Sequence, residues 1–116
     1  MGAGLGGLCR YAVNLWAWQP DWLPIAASTL CVNVAGGLGA GLLFGLFGMV
    51  WLKSHVWGLF LMTGFLGGFT TFSAFTAEGL VLLGQKPLLA LLHAIVHVVG
   101  CLGFFYIGNR MGVLWR

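Results

Sequence analysis

Gly64-Phe65-Leu66-Gly67-Gly68-Phe69-Thr70-Thr71-Phe72-Ser73-Ala74-Phe75-Thr76-Ala77-Glu78 interrupts an apolar segment that runs from about Trp57 to Leu83. As a helix that segment would extend about 40 Å at ~1.5 Å per residue, against a hydrocarbon core of about 30 Å. It is long enough to cross a bilayer, yet its centre is rich in Gly, Thr and Ser. Glycine weakens a helix interior, and Ser and Thr offer the backbone alternative hydrogen bonds. Non-helical backbone at membrane depth is tolerated only where protein or a water-lined cavity surrounds it. The stretch therefore predicts a helix broken at mid-membrane, and such breaks are a common way to contact ions.

Each end of the break has its own chemistry. A first half ending near Gly67 to Thr70 leaves backbone carbonyls unpaired, a partly negative patch suited to a cation. A second half starting around Phe72 presents N–H groups suited to an anion. Phe72 and Phe75, three residues apart, share a helix face. Aromatic ring edges are electropositive, so two of them attract a small anion without offering a competing acceptor. The plainer explanation of such a pair is ordinary packing. Thr70, Thr71, Ser73 and Thr76, interleaved with the rings, weigh against it.

Composition sets the compartment. The 116 residues are 60% hydrophobic and only 6% charged, with mean hydropathy +1.01. Soluble domains carry about a quarter charged residues, so this chain cannot cover a water-facing surface. It is an all-α integral membrane protein of a single domain, residues 1–116, with four spans expected at about 1–16, 25–50, 57–83 and 88–107. The formal +3 rests on very few charges and gives no reason to expect a nucleic-acid partner. Cys9, Cys31 and Cys101 lack metal-type spacing and read as small buried apolar residues.

The first span is short, too Gly-rich and without the basic start of a secretion signal. Gly2 and Gly6 make a small-xxx-small face. Arg10 lies deep enough to be costly unless it faces water or a partner, or snorkels to the interface. Trp16, Trp18 and Trp22 form an interfacial belt, and Pro20-Asp21 turns the chain. In the second span Gly37, Gly41 and Gly45 give a smooth strip for helix packing. Asn33, with Thr29 one turn before it, must find hydrogen-bond partners. Its NH2 can donate to an anion, or the residue can serve as an interhelical clasp. Trp51 to Val56 and Gly84 to Pro87 are expected as loops. In the last span His93, His97 and Cys101 fall at i, i+4 and i+8. His-x-x-x-His can bind a transition metal, but no third ligand of the usual kind lies in sequence reach. The stripe reads as a polar lining facing a pore. Glu78 is the only carboxylate within a span, and its role is left open.

Lys53, Arg110 and Arg116 fall on one side of the membrane, Arg10 and Lys86 on the other, almost without positive-inside bias. Four thin, glycine-faced helices do not readily enclose an aqueous path alone. Dual insertion and oligomerisation together suggest an antiparallel homodimer.

The run from Gly67 to Phe75 resembles the signature of the fluoride channel family, called Fluc or CrcB. The similarity extends to Arg10-Tyr11, to Ser28 through Asn33 and to His97 through Cys101, covering nearly the whole chain in order. It implies a passive channel exporting fluoride across the bacterial cell (inner) membrane. The family pattern is an antiparallel dimer with two pores and a central structural sodium ion. The resemblance places Arg10 in an aqueous vestibule and Asn33 in the pore near Phe72 and Phe75. Ser73, Thr29 and Thr76 join them as hydroxyl donors, and His97 falls on the family's polar track. The sodium would sit on the carbonyls of Gly67 and Thr70. Two departures stand out: Cys101 occupies a position where serine is common, and His93 is atypical. Family members also carry further apolar residues ahead of the first glycines. The rival class is a small four-helix proton-coupled multidrug exporter, which needs a carboxylate in its first span; no Asp or Glu precedes Asp21. A non-transporting assembly subunit would not need the break. No nucleophile–base set or phosphate loop suggests an enzyme.

Overall fold

The computed structural model describes residues 1–16 and 26–116; the Trp18, Pro20-Asp21 and Trp22 turn lies outside the described residues. Helix α1 spans Gly2–Trp16 and α2 spans Ala27–Ser54. The third crossing has two parts. Its first half, α3 (residues 56–69), contains an eight-residue π-helix, Leu59–Leu66. Its second half, α4, covers Phe72–Gln85, and α5 follows over Pro87–Trp115. No strand occurs among the described residues. Three stretches are long and apolar enough to cross a membrane: Ala27–Ser54, Val56–Gln85 and Pro87–Trp115.

Packing follows glycine. Between apolar helices in lipid there is little hydrophobic drive, so close backbone approach and dispersion hold the bundle. The most extensive interface is α2 on α5. Gly41 abuts the Phe105 carbonyl and Gly45 the Asn109 carbonyl, while Gly108 and Gly112 sit against Leu38 and Leu42. A Cβ at any of these positions would collide with backbone. The short α1 lies on α3 in the same way, Gly2 against Phe60 and Gly64, and Gly6 against Phe65 and Phe69. Gly37 faces the Cys101 carbonyl, so the strips expected at Gly2/Gly6 and at Gly37/Gly41/Gly45 are real contact faces.

Few apolar side chains are buried within one chain; Val32, Leu52, Leu82 and Ala90 are. Large apolar side chains such as Leu88 and Val99 instead face outward, as a bilayer solvent permits.

Helix ends differ from the hydropathy reading for physical reasons. Residues 51–54, expected as loop, are helical, because the chain bends earlier, at Gly48 (φ 74°, ψ 164°). Only glycine takes that φ without strain. The turn into α3 is His55 alone, whose N–H returns to the Trp51 carbonyl at 2.9 Å. Likewise Gly84 and Gln85 belong to α4, and the turn into α5 is Lys86 alone. Pro87 at the first helical position needs no N–H partner. Helix α5 continues to Trp115, beyond the Ile107 expected as its end, because Gly108 and Gly112 still pack on α2.

Candidate functional site

The site is built on the interruption of the third crossing. Thr70 (ψ 158°) and Thr71 (φ −145°, ψ 116°) leave helical geometry between Phe69 and Phe72. Thr71 then caps α4: its Oγ1 accepts the Ala74 N–H at 3.2 Å. Upstream, Thr70 folds its hydroxyl back to donate to the Leu66 carbonyl at 2.9 Å. The N–H of Thr71, which an unbroken helix would send to Gly67, goes to Asn33 instead.

Asn33 grips the break with both ends of its amide. Its Oδ1 accepts the Thr71 N–H at 2.7 Å, and its Nδ2 donates to the Thr71 carbonyl at 2.9 Å. This is the interhelical clasp, and it occupies one of the two Nδ2 hydrogens, leaving the other for a further acceptor. Each such bond is worth about 0.5–1.5 kcal/mol net, but leaving both Thr71 groups orphaned costs about 1–3 kcal/mol apiece.

Two cavities share Thr71 as a wall. A cavity of about 340 Å³ is lined by Asn33, Thr70, Thr71, Phe72, Phe75, His97, Val98 and Cys101. The Phe72 and Phe75 rings have centroids 5.3 Å apart at 42°. Phe75 in turn stacks on His93 at 5.0 Å and meets His97 at 4.8 Å, so part of its π-face is covered. Phe72 is 76% exposed, directed out of the single chain. The second cavity, about 520 Å³, is lined by Gly7, Arg10, Tyr11, Asn14, Thr29, Thr71, Ser73 and Ala74. Thr71 lines both. Arg10 is half-buried, its Nη1 3.5 Å from the Thr70 carbonyl, a contact at the long limit of a hydrogen bond.

The remaining hydroxyls are already engaged. Thr29 is buried and donates to Glu78 Oε1 at 2.5 Å, within the short range of a charge-assisted bond. That spends its proton on a carboxylate. Ser73 Oγ lies 3.2 Å from Thr71 Oγ1, either of which can donate. Thr76 is exposed, donates to the Ser73 carbonyl at 2.9 Å and lines neither cavity. Asn33, Phe72, Phe75 and His97 are therefore brought together, and Arg10, Thr29 and Ser73 form a neighbouring group. Thr76 stands apart.

Sequence reasoning left Glu78 without a role and read His93 as part of a pore-facing stripe, whereas His93 lines neither cavity. Glu78 lies one turn beyond Phe75 on the same helix and closes a contact to Thr29. His93 is completely buried behind Phe75, its Nε2 3.1 Å from the Phe75 carbonyl. The three-residue spacing from Phe75 to Glu78 was the available signal, since residues at i and i+3 share a face.

The carbonyls of Gly67 and Thr70 can be judged for a hard cation from their own bonding. With the Thr71 N–H turned to Asn33 and the Ala74 N–H taken by Thr71 Oγ1, neither carbonyl has its helical donor. Gly67 is exposed, and Thr70 has only the long Arg10 contact. Neutral oxygens of this kind suit a hard ion, but one chain supplies too few for a complete shell.

Comparison with known proteins places these features in a family. Residues 1–109 match the family model described as CrcB-like protein, Camphor Resistance (CrcB). The chain is 45% identical to the fluoride-specific ion channel FluC of Aromatoleum aromaticum, over 99% of this chain and 88% of the relative. It is 40% identical to the protein of the same name from Methylobacterium nodulans, over 98% and 90%. Against the fluoride-specific ion channel FluC 2 of Bacillus subtilis it is 39% identical over 97% and 82%.

Proposed function

The chain belongs to the CrcB-like family and is a passive fluoride channel of the bacterial membrane, and we propose that it conducts along the two cavities that share Thr71 as a wall. The observation that carries this path is the helix break itself. It sets Phe72 and Phe75 beside Asn33 and His97 in one cavity, with Arg10 in the next.

Fluoride is small and strongly hydrated, so a pore must replace its water with donors and electropositive edges. In this account Arg10 draws the anion into the larger cavity, where the paired hydroxyls of Thr71 and Ser73 keep one proton free to donate. Thr29 shapes the same wall while its own proton is held by Glu78. The ion then passes to the smaller cavity, where the edges of Phe72 and Phe75 replace water. The spare Nδ2 hydrogen of Asn33 and the ring of His97 contribute there. Thr76, facing away within the chain, serves at most at the pore mouth. Rejection of cations follows from Arg10; rejection of larger anions follows from a rigid site.

The working unit we propose is an antiparallel homodimer with two pores, each lined by both copies. Its support is the weak charge asymmetry of the loops and the outward-facing Phe72, which a second copy would cover. In that dimer the carbonyls of Gly67 and Thr70 from both copies would hold a structural sodium ion. Bound there, sodium would neutralise the converging carbonyl ends and tie the copies together.

The test is fluoride efflux from proteoliposomes under a potassium gradient with valinomycin. A channel gives fast, voltage-driven efflux. Efflux that demands a proton gradient would mean a coupled exporter, and none at all would mean an assembly subunit.

A further inference from the structure

Behind Phe75, three metal-ligand side chains come together, of which the conduction path uses only the ring of His97. Glu78 comes from α4, and His93 and His97, one turn apart, come from α5. One ligand atom from each lies within 4.8 Å of the others. His93 is fully buried and His97 nearly so. Glu78 is the third ligand that sequence spacing along α5 could not supply.

The bonding pattern specifies what is missing. His97 Nδ1 meets the His93 carbonyl at 3.1 Å, and His93 Nε2 meets the Phe75 carbonyl at 3.1 Å. Carbonyls only accept, so each of these nitrogens carries its ring's proton. The opposite nitrogens, His97 Nε2 and His93 Nδ1, are then bare lone pairs, and both are buried without a partner. Glu78 repeats the pattern: Oε1 takes the Thr29 hydroxyl, while Oε2 is buried and unpartnered. The cluster thus holds three unsatisfied acceptors. The His93 nitrogen that faces Glu78 Oε2, at 3.9 Å, is Nε2, so ligation by the bare Nδ1 requires the His93 ring to turn over and release the Phe75 carbonyl. A backbone carbonyl that fixes the His97 tautomer, and a hydroxyl that orients the carboxylate, are supports that metal ligands ordinarily have.

We propose that Glu78, His93 and His97 bind a divalent transition-metal ion of the zinc class, and that its occupancy shuts the adjoining fluoride path. Two imidazoles and one carboxylate suit zinc better than magnesium or calcium, which prefer all-oxygen shells. Three protein ligands leave a fourth position open. His97 lines the Phe72–Phe75 cavity, so that position adjoins the anion path. Conduction requires that each site release its ion, and a divalent cation holding fluoride in its open position would not. The closure, unlike the binding, rests on the fluoride-channel assignment.

The experiment pairs cobalt absorption with efflux on the purified, reconstituted protein. Wild type should show the visible band of four-coordinate cobalt, displaced by zinc. His93→Gln, which removes one ligand, should weaken binding by at least the roughly 10–100-fold that losing a supporting hydrogen bond costs a metal site. His93→Cys should retain a metal and shift preference toward cadmium, as a softer ligand must. Zinc should slow wild-type fluoride efflux roughly tenfold or more and leave His93→Gln efflux unchanged, a difference that the open fourth position predicts. Absence of the cobalt band, or equal bands in wild type and His93→Gln, overturns the site. A band with zinc-insensitive efflux overturns the closure. Failure of metal-free wild type to pass fluoride would instead sink the channel assignment and leave the binding result standing.

Discussion

The seam between α2 and α5 and the interruption between α3 and α4 both depend on glycine, but they are held by opposite means. In the seam, Gly41, Gly45, Gly108 and Gly112 let two intact helices touch backbone to backbone. The contact there is made of close packing between the two backbones. At the interruption, Gly67 and Gly68 precede a place where helical bonds stop. The buried peptide groups of Thr71, freed from the helix, are satisfied by one side chain, Asn33, from 38 residues away. Glycine spacing alone makes a structural joint; glycine beside Thr, Phe and a remote amide makes a place where ions can be handled.

Substitutions should separate the two regions. Gly41→Leu should be the most damaging to stability, by about 3 kcal/mol or more, because backbone cannot yield as a flexible side chain does. Thermal unfolding in detergent measures it, and an unchanged midpoint would show that the seam is not tight. Asn33→Ala should cost about 2 kcal/mol, from two lost bonds partly offset by water reaching Thr71. Its fluoride efflux should fall much further than its folded fraction, whereas Gly41→Leu should lose both together. Equal losses in the two variants would erase the distinction between joint and ion site. Gly48→Ala, at the bend in α2, should cost about 1–3 kcal/mol, since a Cβ there meets nothing and only the glycine-specific backbone (φ 74°, ψ 164°) is strained. Efflux per folded molecule should stay at the wild-type rate.

What the sequence disclosed follows the same division. Four helices, the glycine faces and the place of the interruption were legible, because hydropathy, four-residue spacing and the Gly-Gly-Phe-Thr-Thr run are local signals. The π-helix of Leu59–Leu66 was not, since that run reads as any apolar helix. Nor was the partner of Asn33, which could equally face an anion or a neighbouring helix until the fold chose Thr71. Thr29 appeared as a free donor because its acceptor, Glu78, lies on another helix. Polar atoms in a membrane find partners across the bundle, and one-dimensional spacing does not carry that information.

Separate Phe72→Ile and Phe75→Ile variants, assayed for voltage-driven fluoride efflux after confirming that each is folded, put the paired rings to the proof. Isoleucine keeps the apolar bulk and removes the electropositive ring edge. Efflux reduced by roughly a hundredfold or more in each variant, equivalent to about 3 kcal/mol of lost ion stabilisation, is the expected result. Wild-type rates in both would mean that fluoride does not pass by the rings at the broken helix.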